Sequence, residues 1–255
     1  MRVDVLTLFP QMFEVPMGES MMWKARDRDI LDLHLHDIRD WAQNKHKKVD
    51  DTPYGGGGGM VLKPDVVVRA VEAIQAEDDC PVILMSPQGQ VFSHEKAIAL
   101  SQLPRMILLC GHYEGFDERI RQEVVTEELS IGDYVLTGGE LAAMVVIDAV
   151  IRQIPGVLGA EGGAERDSHA DGLLEGPTYT RPVEFRGRGI PSVLTSGNHG
   201  AVDAWRREQA IRRTWQNRPD LLRKATLTED EKYFLATLAR EAAQKRIAEM
   251  RQDDS

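Results

Sequence analysis

Two glycine-rich stretches constrain this chain most. Gly111-His112-Tyr113-Glu114-Gly115 begins where the mostly apolar run Arg105 to Cys110 ends. Ser130-Ile131-Gly132-Asp133-Tyr134-Val135-Leu136-Thr137-Gly138-Gly139-Glu140 begins where a second run, Val124 to Ser130, ends. Glycine lacks a Cβ and tolerates positive φ, so such loops let a backbone approach a ligand closely. A third turn, Met85-Ser86-Pro87-Gln88-Gly89, follows the short apolar run Pro81 to Met85. Open α/β sheets bind ligands beyond the ends of their strands, so the three loops are candidates for one pocket.

The rest of the pattern fits such a sheet. Arg2 to Phe9 reads as a buried strand and the segment near Met17 to Asp27 as helical. Leu31, Leu33 and Leu35 alternate with Asp32, His34 and His36, the period of a half-exposed strand. A long loop, Trp41 to Met60, precedes a helix over Asp65 to Gln75, with Pro64 suited to its start. Ser93 is placed to cap a helix reaching Ser101, and Glu140 to Gln153 reads as an apolar helix. Strands alternating with helices predict an α/β domain with a mainly parallel sheet. Composition then shifts to a Gly-, Glu- and Asp-rich run, Gly159 to Gly176, read as a mobile linker. Beyond it Gly197 to Gln216, Asp220 to Lys224 and Thr228 to Met250 read as helical, with Thr228 and Glu231 at capping-box spacing. The expected domains are residues 1–160, a linker over 161–176, and a small, mostly helical domain over 177–255.

Charge limits the function classes. A net charge of −10 over 255 residues argues against a general nucleic-acid coat. Two patches run the other way. Lys45, His46, Lys47 and Lys48 cluster in the long loop. From His199 to Lys224 seven basic residues, Arg206 among them, face three acidic ones, a pattern that also fits a solvated helix face. No apolar run approaches the ~20 residues that cross a bilayer, and the N-terminus is too short and mixed for a secretory signal. Cys80 and Cys110 have no metal spacing and read as reduced thiols of a cytoplasmic protein. His34 and His36 share a strand face without a third ligand and read as solvated, so no metal site is expected. Gly55 to Gly59 is followed by Met60-Val61-Leu62 and not by Lys-Ser/Thr, so it is no phosphate-binding Walker loop.

The wording of the strand-end loops closely resembles the cofactor loops of the bacterial tRNA (guanine-N1)-methyltransferases of the SPOUT superfamily. The resemblance runs from Val5-Leu6-Thr7-Leu8-Phe9-Pro10 to about residue 240. It implies an α/β, SPOUT-type parallel sheet with a trefoil knot at its C-terminal side, followed by the small helical domain; chain-topology rules alone make a knot a rare exception. It also implies methyl transfer from S-adenosylmethionine to N1 of the guanine immediately 3′ of the anticodon in tRNA. Cofactor binding carries over to Leu84, Met85, Ser86, Pro87, Gly111, Tyr113, Glu114, Gly115, Ser130, Ile131, Gly132, Tyr134, Leu136, Gly138 and Gly139. The implied RNA contacts are Lys45, His46, Asp50 and Tyr54 in the long loop, and Asn198, His199 and Arg206 beyond the linker. Gly197-Asn198 ahead of a helix offers free N–H donors to a phosphate.

The chemistry sets its own demands. Guanine N1 loses a proton as it attacks, which a carboxylate can accept, and charge then moves onto O6, where a fixed cation helps. Asp167, in Arg166-Asp167-Ser168, matches the family's catalytic aspartate as general base, and Arg152 its arginine. Glu114, a second acidic candidate, is read as a cofactor or structural contact. The resemblance further implies a homodimer with shared active sites and a requirement for Mg²⁺, for which the sequence offers no ligand set. Departures are Gly58 where proline is common, His169 for phenylalanine, Leu84-Met85 for an aromatic–leucine pair, and Ala142 for proline.

Overall fold

The computed structural model describes residues 1–75, 78–159, 163–164 and 167–253, and the chain divides into two units, Met1–Glu161 and Gly162–Ser255. The first unit is built on a five-stranded sheet: β1 (Arg2–Thr7), β2 (Asp32–Asp37), β5 (Val82–Val91), β6 (Arg105–Cys110) and β7 (Glu127–Ser130), in the order β2-β1-β6-β5-β7. Every pairing is parallel. Helices α1 (Ser20–Asp27), α2 (Pro64–Gln75), α3 (His94–Ser101) and α4 (Glu118–Glu123) lie in the crossovers, α5 (Glu140–Ile151) follows the last strand, and β3 (Asp50–Asp51) with β4 (Val61–Leu62) forms a small antiparallel pair.

Side-chain alternation sorts the core into two layers. Val5, Ile83 and Leu108 face one side with Ala143, Ile147 and Val150 of α5. Leu6, Leu84, Ile107 and Leu109 face the other with Val67, Ala70 and Val71 of α2. All six residues of β6 are buried, as expected for a central strand covered on both faces.

Several expectations meet the structure closely. β6 spans Arg105–Cys110, Ser93 accepts the Lys96 N–H at the start of α3, and α5 begins at Glu140. Three differ. The strand expected to stop at Met85 runs on to Val91, with a register shift between Met85 and Gln90. Pro87 has no N–H to give the ladder, and the bulge absorbs it. The run expected as a strand from Val124 starts only at Glu127, and a short helix, α4, precedes it, capped by Asp117 through the Arg119 N–H. His36 is not a solvated histidine: its Nε2 lies 2.9 Å from the fully buried Asp4 carboxylate.

At the opposite end of the strands from the loops, Asp4 gathers Arg2 at 3.0 Å and Arg105 at 2.9 Å besides His36. Burial pushes its pKa up, but the hydrogen bonds from His36, Arg2 and Arg105 outweigh that and hold the carboxyl well below the usual range.

The second unit contains a hairpin of β8 (Glu184–Phe185) and β9 (Arg188–Gly189), then α6 (His199–Asn217) and α7 (Glu229–Asp253). Asn198 caps α6 by accepting the Ala201 N–H at 3.1 Å. Thr228 and Glu231 exchange both bonds of a capping box. Linker residues 161, 162, 165 and 166 lie outside the described residues. From Asp167 onward the segment bonds within the second unit: the Leu174 N–H meets Thr214 Oγ1 at 2.8 Å, and Leu173 is buried.

Candidate functional site

The loops that follow β5, β6 and β7 converge on a single cleft of ≈ 190 Å³, small-molecule rather than macromolecular in scale. β6 ends at Cys110, and Gly111 to Gly115 turns back with Tyr113 at φ 60° and Gly115 at φ 108°. This turn is stitched to the chain after the glycine run: Glu114 N–H donates to Met60 O at 3.0 Å, and Leu62 N–H to Gly115 O at 2.9 Å. Gly111 itself lies under the Phe116 ring, where a Cβ would sit 2.6 Å from Phe116 Cε2.

The loop after β7 folds over the same end. Ser130 Oγ donates to Gly132 O at 3.0 Å and accepts the Gly132 N–H at 3.2 Å. Gly132, at φ 148°, lies beneath the Tyr134 ring. The loop then crosses the first one. Gly139 N–H donates to Gly111 O at 2.9 Å, and Gly138 bridges to His112. A Cβ on Gly139 would meet Cys110 Cα at 2.9 Å and Gly111 N at 3.0 Å, so backbone meets backbone here with no room for a side chain. From β5, Ser86 Oγ accepts the Gln88 N–H at 3.1 Å and shapes the third wall.

Of the residues expected to bind a cofactor, all but Gly132 line the cleft. Gly132 shapes it from behind, through Tyr134. The walls combine apolar Leu84, Ile131 and Leu136 with open backbone at Gly111, Gly115 and Gly138, and one carboxylate, Glu114, at the rim. His112 and Arg121 also line it. Neither is among the cofactor residues expected from the sequence. His112 packs its ring 4.9 Å from Phe9 and 5.2 Å from Tyr113. Arg121 pairs with Glu128 at 3.1 Å and Glu118 at 3.3 Å. Position within the Gly111 turn was a signal for His112; nothing local marked Arg121, which reaches the cleft from α4.

Beneath the cleft lies a buried polar relay. Phe9 N–H donates to Thr7 Oγ1 at 2.9 Å, and Thr7 Oγ1 donates to Glu140 Oε1 at 2.7 Å. Thr7 and Glu140 are 0% and 2% exposed, so neither has water as an alternative partner. Burial, with the Glu140 charge beside it, pushes the Cys110 thiol well up, leaving it neutral and no nucleophile.

Of the expected RNA contacts, Lys45 and His46 project from a turn held by Asn44, whose Oδ1 accepts the His46 and Lys48 N–H groups. Lys47 and Lys48 are ion-paired with Asp40 and Asp51. Asp50 is half-buried in β3, and Tyr54 is fully exposed. The glycine run connects this loop to the cleft, because Gly59 lies against Glu114: a Cβ there would sit 2.5 Å from Glu114 Cγ. In the second unit Asn198 and His199 open α6, and the exposed Arg206 is 3.5 Å from Asp203. Arg152 follows α5 as its C-terminal cap, and Asp167 N–H donates to Ala164 O at 3.4 Å. Among the described residues no three His, Cys, Asp or Glu side chains gather to hold a metal.

A family model described as tRNA (Guanine-1)-methyltransferase TrmD matches residues 1–224. A tRNA (guanine-N(1)-)-methyltransferase of Dehalococcoides mccartyi is 56% identical over 244 residues, covering 94% of this chain and 98% of the relative. One from Staphylococcus aureus is 54% identical over 235 residues, covering 92% and 96%. The match runs from β1 through every loop of the cleft and past α6, and by it this chain belongs to the tRNA (guanine-1)-methyltransferase family.

Proposed function

We propose that this methyltransferase takes its methyl group from S-adenosylmethionine and delivers it to N1 of the guanine immediately 3′ of the anticodon. The observation that carries the reading is the cleft, assembled from the ends of three parallel strands with glycine backbone and apolar side chains as walls. These fit the adenosine part of the cofactor, with Leu84, Ile131 and Leu136 for its faces and backbone N–H and C=O groups for its edges, while Glu114 suits the cofactor's positive charge. The cofactor supplies an activated methyl on a positively charged sulfur.

The protein's part is alignment and proton handling. Asp167 would take the proton that N1 gives up on accepting the methyl group, for which the bound cofactor would supply a neutral thioether leaving group. Arg152 stabilises the charge that moves onto guanine O6. N1 lies on the Watson–Crick edge, so the base must leave its stack to react. Lys45, His46, Asp50, Tyr54, Asn198, His199 and Arg206 hold the RNA in this reading.

The same reading includes a trefoil knot, a homodimer with shared sites and a cytoplasmic location. The crossing of the Gly111 and Gly139 backbones supports the knot. The outer face of α5 supports the dimer: Leu141 and Val145 are 53% and 48% exposed beside the exposed Asp148, with Trp23 of α1 at 51%. Exposed large apolar side chains grouped on one face mark a contact surface, and a second copy would cover this one. Asp167 of one chain then serves the cofactor held mainly by the other.

Asp167→Asn tests the chemistry. Calorimetric affinity for S-adenosylmethionine should be unchanged, while single-turnover methylation falls by about 10²–10⁴-fold. Wild-type turnover in that variant would remove Asp167 as the base.

A further inference from the structure

The hairpin of the second unit carries chemistry that methyl transfer does not use. In it Phe185 pairs with Arg188 and Glu184 with Gly189, and Ile190 N–H donates to Val183 O at 3.1 Å. Arg186 and Gly187, at φ 55° and 74°, form a two-residue turn whose handedness suits a tight hairpin. Opposed residues, and residues two apart, share a face. Val183, Phe185 and Arg188 therefore lie on one face and Glu184 on the other. The Arg186 guanidinium sits 5.2 Å from the centroid of the Phe185 ring.

This face is bare. Every residue from Arg181 to Gly189 is exposed, Val183 and Phe185 each at 62%. A two-stranded hairpin gains little from its own pairing, and Val183 with Phe185 leaves an adjoining apolar pair uncovered on one face of it. The charge around that pair says what kind of partner suits it. Among the described residues Arg181, Arg186 and Arg188 enter no ion pair. Arginines of α6 and of its C-terminal cap are engaged inside the unit: Arg207 with Asp171 and Glu231, Arg213 with the Glu175 carbonyl, and the cap residue Arg218 with Asp220. In a chain of net charge −10, unpaired guanidinium groups around a bare phenylalanine suit an anion that also presents flat rings.

We propose that the β8–β9 hairpin is an RNA-binding element, in which Phe185 stacks on an unpaired base of the tRNA while Arg186 and Arg188 hold the adjoining phosphates. This rests on tRNA being the substrate, but not on which atom is methylated. A planar ring accepts any base as a stacking partner, and phosphate contacts position without reading sequence. The element therefore sets affinity and register, not base identity.

The test is fluorescence anisotropy of the full chain with a labelled tRNA transcript over a salt series, with steady-state kinetics alongside. Replacing both arginines, Arg186→Gln with Arg188→Gln, should lower the slope of log affinity against log salt by about 1.4–1.8, roughly 0.7–0.9 per phosphate lost. The paired Arg→Lys variant should keep the slope. Phe185→Ala should weaken binding roughly tenfold with the slope unchanged. KM for tRNA should rise in the Gln and Ala variants with kcat, thermal midpoint and S-adenosylmethionine affinity unaltered. Wild-type affinity and slope in the double Gln variant would overturn the proposal. So would a change of sedimentation state with RNA affinity intact, which would make the hairpin a protein interface. The binding arm needs no turnover. If the variants lose tRNA affinity while the wild type forms no N1-methylguanine, the reaction reading fails and this one stands; if methylation proceeds with unaltered KM, this one alone fails.

Discussion

Gly139→Ala perturbs the point where two cleft loops cross. Its φ of −83° suits any residue, so the effect is one of space. The added Cβ would lie 2.9 Å from Cys110 Cα and 3.0 Å from Gly111 N, against about 3.5–4.0 Å for relaxed carbon contacts. One backbone must retreat from the other by roughly 0.5–1 Å. Neither moves freely. Cys110 ends the fully buried β6, and the 2.9 Å bond from Gly139 N–H to Gly111 O spans the gap that must widen. Overpacking of this kind costs about 1–3 kcal/mol, or roughly 3–10 °C in the melting of a domain this size. The displaced atoms line the cleft, so affinity for S-adenosylmethionine should fall at least about tenfold, a loss of ~1.4 kcal/mol. Scanning calorimetry and isothermal titration read the two effects. Gly58→Ala is the control, since nothing lies within 4 Å of its added Cβ, and its melting should stay the same or rise slightly. Wild-type melting and cofactor affinity in Gly139→Ala would refute the argument that the crossing leaves no room.

Asp4→Asn should destabilise the first unit by about 1–3 kcal/mol at neutral pH, because it weakens the charge-assisted bonds from Arg2, His36 and Arg105 while Arg105 keeps Asp78 and the Ile74 carbonyl; urea denaturation measures it. The pH dependence has a fixed sign: a carboxyl held below its unfolded value stabilises fully above about pH 4, and that contribution drains away as acid carries the pH down through the folded value. The wild type should therefore lose stability in that acid window more steeply than Asp4→Asn, and equal slopes would count against the network. Thr7→Val removes the donor to the buried Glu140 and the acceptor for Phe9 N–H, and should cost about 1–3 kcal/mol in chemical denaturation. If the proposed dimer packs through α5, Leu141→Glu with Val145→Glu should lower the sedimentation coefficient to that of a monomer, with melting of the first unit little changed, since both side chains are about half exposed.

Elements with their own chemical signature were legible in the sequence. The apolar run of β6, the serine cap of α3 and the capping box of α7 each depend on residues within a few positions. What escaped depends on neighbours distant in sequence. β5 continues past Pro87 because β7 lies alongside, with Gly89 packed against the Glu128 backbone. The run Val124-Val125-Thr126 has strand composition, yet the strand starts at Glu127 after a helix whose cap, Asp117, lies seven residues before Val124. His36 looked solvated because its partner, Asp4, comes from the adjacent strand. In the site, glycine spacing identified the loops, while Arg121 reached the cleft through the placement of α4. The hairpin of the second unit, two residues a strand, was too short to show a period.

The central claim is tested most directly by its product. Purified protein is incubated with S-adenosylmethionine, Mg²⁺ and a tRNA transcript carrying guanine 3′ of the anticodon, and the RNA is digested with nuclease and mapped by mass spectrometry. The account predicts N1-methylguanine at that base, and no methylation of a transcript with adenine there. Methyl transfer to another atom or position, or none while cofactor and tRNA both bind, would contradict it.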